Sequence, residues 1–303
     1  MSPDSLIILP SNHVTLSCPI TAFNVSIEYS HLFHQFVSTK GRIVIKLGGG
    51  LITNKNKVKT LDKDAINKVC KVIKILIEEK YNIIIVHGAG SYGHILSKEM
   101  KISEGINHDI NDKQIKAVKQ IREDMRELNN EVIDSLKRVN LNSTGFPPSI
   151  WAKNIGKEFI GDISIFEKKL GEIIPICFGD VVERDDEKEF GILSGDDLMY
   201  RLSIEIPDVN FTIFLLGDVD GVMDKPPDNS DAELVPIWNS NDSIRTSHNS
   251  EVDVTGGMDL KLMRASEIAK KIDNVWFLNG DRPERILQLV RTGSTIGTKI
   301  KPQ

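Results

Sequence analysis

Ile83-Ile84-Ile85-Val86-His87-Gly88-Ala89-Gly90-Ser91-Tyr92-Gly93-His94 is the stretch on which the fold turns. Four β-branched apolar residues in a row predict a strand buried on both faces, as in a parallel sheet. The run breaks into a turn of small residues, and a helical pattern follows from Ile95. A strand, a glycine-rich turn and a helix start make an anion site, because backbone N–H groups without intrahelical partners point outward and the helix dipole favours negative charge. His94 stands at the entry to that helix, within reach of whatever the turn holds. A plain βα connection has the same outline, so the weight of the reading rests on the rest of the chain.

The pattern repeats on either side. Arg42-Ile43-Val44-Ile45-Lys46-Leu47 reads as a buried strand running into Gly48-Gly49-Gly50 and then Leu51-Ile52-Thr53-Asn54-Lys55. Three glycines let the backbone approach a ligand and cradle phosphate oxygens. The turn matches neither GxxxxGK[ST] nor GxGxxG. Lys46 sits at the carboxyl end of its strand, where open α/β sheets place ligands, and a lysine inside an apolar strand needs a partner. Asp62 to Lys80 has helical spacing with Asp62 as cap, so strand, glycine turn and helix recur in order and predict right-handed parallel crossovers.

Downstream, Asp112–Val139 predicts a long amphipathic helix with Ile115, Val118, Ile121, Met125, Leu128, Val132, Ile133 and Leu136 as its stripe. Asn140–Pro148 reads as a break and Trp151–Ile165 as a hairpin over the site. Three more apolar strands end in glycine: Ile173–Phe178 in Gly179-Asp180, Val209–Leu216 in Gly217-Asp218-Val219-Asp220-Gly221, and Val275–Leu278 in Asn279-Gly280. Helices are expected after Ser194-Gly195-Asp196-Asp197, after Thr255-Gly256-Gly257, with Lys261 one turn in, and over Pro283–Leu289. Ser194 or Asp196 serves as a cap in the simplest account; otherwise the carboxylate faces the site, to hold lysines or coordinate Mg²⁺.

The bulk properties narrow the field. The 303 residues are 40% hydrophobic and 27% charged, ordinary for a chain with a real core. A net charge of −5 argues against nucleic acid. Cys18, Cys70 and Cys177 are too scattered for a metal site or disulfide framework, which suggests a reducing, cytoplasmic setting. No apolar run approaches a membrane span. Residues 1–40 contain no Lys or Arg before Lys40, against a basic targeting segment; they read as an extension of unassigned role ahead of a domain over 41–303.

Lysines, glycine turns and separated acids without a Ser–His–Asp set or a zinc motif suit phosphoryl transfer. That reaction needs positioning and charge neutralisation more than covalent help, and lysine ammonium groups are good point charges for it. No base is required if the acceptor is already an oxyanion.

Lys46-Leu47-Gly48-Gly49, His87 through His94, Ser194-Gly195-Asp196-Asp197, Asp218-Val219-Asp220-Gly221-Val222 and Val254-Thr255-Gly256-Gly257-Met258, in this order, resemble the amino acid kinase superfamily. Within it the chain is similar to the isopentenyl phosphate kinases, over roughly residues 41 to 300. His94 is the discriminating residue, shared with fosfomycin kinase and lacking in the acetylglutamate, aspartate and uridylate kinases. The resemblance implies an α/β, three-layer αβα sandwich with a mainly parallel open sheet, and a homodimer. It implies ATP with Mg²⁺ phosphorylating isopentenyl phosphate to the diphosphate, with the acceptor bound by about 41–180 and ATP by about 181–303.

By match, Lys46 and Lys261 would contact the moving phosphoryl group and Lys55 would stabilise the transition state. Leu47, Gly48, Gly49, Gly50, Gly90, Asp218 and Gly257 match nucleotide positions. Ala89 and Gly179 would offer N–H groups to the acceptor phosphate, His94 would hydrogen-bond it, and Asp196 would orient the lysines. No metal-ligating side chain is assigned. The chain departs from the pattern at Gly50, where a serine is usual, at Ala89, where glycine is usual, and at Phe178, where a histidine is common. A fosfomycin-type phosphonate kinase and a silent nucleotide sensor are the alternatives, the second disfavoured because all three lysines are present.

Overall fold

The five strands that end in glycine all finish on one edge of a single sheet. The structure, a computed structural model, describes residues 39–54, 57–167, 173–217, 219–239 and 257–302. The readings made for residues 1–38, Lys55, Asp218 and the 240–256 segment with Thr255 lie outside the described residues.

In chain order the elements are β1 (Gly41–Leu47), α1 (Gly49–Ile52), α2 (Lys63–Glu78), β2 (Tyr81–His87), α3 (Gly90–Glu99), α4 (Asn111–Arg138), β3 (Asn142–Gly145), α5 (Pro148–Trp151), β4 (Ala152–Lys153) and β5 (Ile160–Gly161). There follow β6 (Ile173–Phe178), β7 (Asp180–Glu183), β8 (Phe190–Leu193), α6 (Gly195–Glu205), β9 (Val209–Leu216), β10 (Ile237–Asn239), α7 (Gly257–Ala269), β11 (Asn274–Asn279), α8 (Glu284–Thr292) and β12 (Thr298–Lys301). The main sheet has the order β10-β12-β11-β9-β1-β2-β6-β3. Its neighbours run parallel except β11 with β12. A smaller sheet, β5-β4-β7-β8, stands apart from it.

Side-chain alternation along the strands builds the two cores. From β1, Ile43, Ile45 and Leu47 enter one core with Ile66, Val69 and Ile73 of α2, Ile121, Met125 and Leu128 of α4, and Ile286 of α8. Val44 turns the other way, toward Leu198 and Leu202 of α6 and Leu262 and Ala265 of α7. A strand buried on both faces must be apolar along its whole length, which is why β1 and β2 stand out in the sequence. The result is the expected three-layer αβα sandwich with a mainly parallel sheet.

Several expectations need correction. The 140–148 break contains β3, which pairs in parallel with β6 at the sheet edge. The helix expected from Ile95 starts at Gly90, because the small residues of the turn already take helical geometry. Ile115 is 54% exposed and leaves the stripe of α4. The 151–165 hairpin exists as the antiparallel pair β4 and β5, within the smaller sheet. Asp62 caps α2 as expected, its carboxylate accepting from Ala65 N. No described helix is long and apolar enough to cross a membrane.

Candidate active site

At the glycine-lined edge the first and second turns are pressed together. A Cβ added to Gly49 would lie 2.4 Å from Gly90 N, and one on Gly88 would lie 2.7 Å from Gly49 N. No residue with a side chain fits at either place. Thr53 pins the contact: its hydroxyl donates to Gly49 O at 2.8 Å and accepts from Ser91 N at 3.0 Å. Gly90, at φ +50°, occupies the left-handed region that glycine takes without strain.

The turn after β2 has each of its carbonyls tied back. Gly179 N donates to His87 O at 3.2 Å, and Tyr92 N donates to Ala89 O at 3.1 Å. Gly88 N donates to Leu47 O at 2.9 Å. The Gly179 N–H is thus a ladder bond to β2 rather than an offered donor. The Leu47 side chain is core and its carbonyl is occupied, so this residue shapes the first turn from behind. His94 is half-buried just over one turn into α3. Helical side chains lean toward the N-terminus and over the residue four earlier, which here is Gly90, so the ring is carried toward the turn.

Beside the turns lies the lysine cluster. Lys46 Nζ meets Asp196 Oδ1 at 2.5 Å, with both side chains buried, and Lys261 Nζ lies 3.9 Å from Asp196 Oδ2. Lys261 also donates to Gly257 O, four residues back, at 2.9 Å, which holds its ammonium at the start of α7. Ser194, not Asp196, caps α6, its hydroxyl accepting from Asp196 N at 3.2 Å. The Asp196 carboxylate thereby faces the two lysines, with the Ser194 hydroxyl 3.5 Å from its Oδ2. Gly195 eases the passage, since a Cβ there would stand a tight 3.3 Å from Lys46 Cε.

The neighbouring Asp197 does a second task. It accepts from Arg264 Nε at 2.7 Å, and Arg264 Nη1 also donates to Glu267 Oε2 at 2.8 Å. Lys157 closes the chain onto Glu267 at 2.6 Å. Burial pushes the Asp197 carboxyl above the usual range, against the pull of Arg264. Arg264 lies three residues after Lys261 on α7, so this pair fixes the helix that carries the lysine.

Sequence reading brought together Lys46, Asp196, Lys261, Gly48 to Gly50, Ala89, Gly90, His94, Gly179 and Gly257 on one edge, and there they are. It missed Thr53, His87 and Arg264. Thr53 stands four residues after Gly49, a spacing that places it on the glycine's helical face; the other two gave no local signal. Asp180, beside Gly179, has a structural task, accepting from Ser149 N at 2.9 Å at the start of α5.

As for metal, the described residues contain no group of three His, Cys, Asp or Glu side chains that would hold an ion. With its oxygens turned to Lys46 and Lys261, Asp196 suits lysine positioning better than metal coordination. A magnesium ion here would be carried by nucleotide phosphates, whose close approach the side-chain-free turns allow.

A parallel sandwich with glycine turns and a buried Lys–Asp–Lys set at its carboxyl edge defines a phosphotransferase architecture. The family model for the amino acid kinase family matches residues 41–279, and the chain belongs to that family. It is 31% identical over 261 residues to an isopentenyl phosphate kinase of Thermoplasma acidophilum, covering 86% of this chain and 100% of the relative. It is 30% identical over 268 residues to the isopentenyl phosphate kinase of Methanocaldococcus jannaschii, covering 85% and 97%. Among solved structures, a T. acidophilum isopentenyl phosphate kinase in a product complex superposes with a TM-score of 0.70 at 28% identity, over 86% of this chain and all of that one. A substrate complex of an isopentenyl phosphate kinase gives 0.71 at 27% identity, with the same coverage.

Proposed function

We propose that the chain transfers the terminal phosphoryl group of ATP to isopentenyl phosphate, giving isopentenyl diphosphate and ADP, in isoprenoid synthesis by an archaeal-type mevalonate route. The observation that carries the reading is the Lys46–Asp196–Lys261 cluster beside two glycine turns in van der Waals contact. One turn holds the donor phosphates and the other the acceptor phosphate, with lysine charge between them. Relatives matched over nearly their whole length point to the same acceptor.

An acceptor phosphate oxygen attacks the γ-phosphorus while the bond to the β–γ bridging oxygen breaks, and ADP leaves with that oxygen. The attacking oxygen is already anionic, so no residue need remove a proton. Lys46 and Lys261 neutralise the charge spread over the equatorial oxygens, the main demand of a loose transition state. Asp196 keeps both ammonium groups in place before substrate arrives, so little reorganisation is left for the reacting step. Gly48 to Gly50, Gly90 and Gly257 take the nucleotide, Ala89 and His94 take the acceptor phosphate, and by the resemblance Lys55 would stabilise the transition state and Asp218 would serve the nucleotide. Mg²⁺ travels with ATP. Residues of about 41–180 serve the acceptor and those of about 181–303 serve ATP, in a cytoplasmic homodimer.

The test is a coupled ADP-release assay with Mg-ATP, comparing isopentenyl phosphate, dimethylallyl phosphate, geranyl phosphate and fosfomycin. The highest kcat/KM is expected for isopentenyl phosphate. Turnover of fosfomycin alone would reassign the acceptor to a phosphonate, and no turnover of any of the four would overturn the proposed activity.

A further inference from the structure

We infer that His87 is a positioning residue for the acceptor phosphate, acting through the Gly88–Ala89 peptide. This rests on the proposal that the turn after β2 receives that phosphate.

His87 ends β2 and is entirely buried, its ring stacked on Phe178 of β6 with centroids 4.9 Å apart and planes 24° from parallel. Its Nδ1 lies 3.1 Å from Gly88 O. A carbonyl only accepts, so this contact is a hydrogen bond in the tautomer protonated on Nδ1, which we assign to the ring and which leaves Nε2 as the lone-pair nitrogen. A trans peptide is planar with its C=O and N–H on opposite sides. Holding Gly88 O against the ring therefore turns the Ala89 N–H away from it. The ring belongs to the face with Phe178 and Ile85; Lys46 and Asp196 belong to the other.

The tie completes a set. His87 O is held by Gly179 N, Ala89 O by Tyr92 N, and Gly88 O, between them, by the imidazole. With all three carbonyls restrained, the successive N–H groups of Ala89 and Gly90 form a concave pair of anion donors, Ala89 toward the acceptor phosphate and Gly90 toward the nucleotide. His87 supplies the one restraint of the three that comes from a side chain. Phe178, a departure from the histidine common at that position, supplies the flat surface that fixes the ring plane. Burial pushes the imidazole down to about 4, against the opposing effects of Gly88 O and Asn129, so the ring stays neutral and Nδ1 keeps its single task at working pH.

Two substitutions separate this role from plain packing. His87→Asn puts an amide N–H near the place of Nδ1, whereas His87→Gln puts its amide near the place of Nε2; both lose the stack on Phe178. His87→Gln should raise KM for isopentenyl phosphate about tenfold, the effect of one hydrogen bond, with KM for ATP nearly unchanged. His87→Asn should restore most of the loss. Equal acceptor KM values in two folded variants would overturn the inference.

The tautomer is measured on the unaltered protein by two-bond ¹H–¹⁵N NMR of the histidine ring, without any substrate. A neutral ring protonated on Nδ1 from pH 5.5 to pH 8 is the expected result, and an Nε2-protonated or cationic ring overturns the inference even if both variants fail to fold. A protein that does not phosphorylate isopentenyl phosphate but shows the Nδ1 tautomer would contradict the proposed substrate, not the geometry of the turn.

Discussion

Asp196 and Asp197 are consecutive residues of α6 that grip cations from different elements: Asp196 holds Lys46 of β1 at 2.5 Å and Asp197 holds Arg264 of α7 at 2.7 Å. One dipeptide thereby sets the relative placement of two lysines that lie 215 positions apart, since Lys46 is held directly and Lys261 through the helix it shares with Arg264. Because both carboxylates are buried, neither grip is weakened by solvent as a surface pair would be.

Asp196→Asn keeps the shape and removes the charge. Lys46 would then be a buried ammonium without its counterion, which costs about 3–5 kcal/mol. We expect a lower melting temperature and a fall in kcat of about 100-fold or more, in line with loss of a preorganised electrostatic contact. Calorimetry with steady-state kinetics checks both, and wild-type turnover in the variant would remove Asp196 from the site.

Lys261→Ala should lower kcat far more than it raises KM for either substrate, because its ammonium is placed for the charge that develops in transfer. It is bonded to the first residue of its own helix, Gly257, and its loss leaves the cores intact. A change confined to KM would assign the lysine to ground-state binding.

Arg264→Met should destabilise the protein by about 3–5 kcal/mol by stranding Asp197, and should reduce kcat although the residue touches no substrate. Adding Asp197→Asn should recover part of the stability, since removing both charges of a buried pair costs less than removing one. Failure of the double variant to regain stability would mean that Arg264 acts by packing rather than by charge.

His94→Ala should cut turnover severely at unchanged melting temperature, because the ring is half-buried at the edge of the turn and outside both cores. Unaltered kinetics would exclude His94 from acceptor binding.

The pH dependence of stability follows from His87. Its imidazole lies near 6.5 when unfolded and is pushed down to about 4 by burial. Between those values the unfolded chain binds a proton that the native one refuses. Stability from this group is therefore fully present above about 6.5 and lost as pH falls toward 4, by about 3 kcal/mol in all. Denaturant titrations of wild type and His87→Asn at pH 7 and pH 4.5 should show a gap that narrows on acidification. A constant gap would mean that the ring titrates normally.

The fold was legible wherever burial demanded an unbroken apolar run. β1, β2, β9 and β11 lie inside the sheet, and their glycine endings marked the working edge. β3 was not legible, because Asn142-Ser143-Thr144-Gly145 is an edge strand with half its residues exposed and no core to declare it. The buried polar residues of α4, Gln114, Asp124 and Asn129, interrupt no sequence pattern strongly enough to be noticed. Lys46 announced that it needed a partner, and Ser194-Gly195-Asp196-Asp197 announced a helix start. Only the packing of α6 against β1 joins them, 150 positions apart. His87 looked like the last residue of a strand, since its role depends on a carbonyl's direction and on Phe178, 91 positions further on in sequence.

The contact between the Gly49 and Gly88–Gly90 turns, latched by Thr53, has a meaning for how such a protein changes over generations. The spacing of donor and acceptor is set by main chain against main chain, where substitution has nothing to vary. Beyond the turns, a bound acceptor would meet side chains, which are open to drift. Descendants of this scaffold can therefore exchange one phosphorylated small molecule for another while the distance a phosphoryl group must travel stays the same.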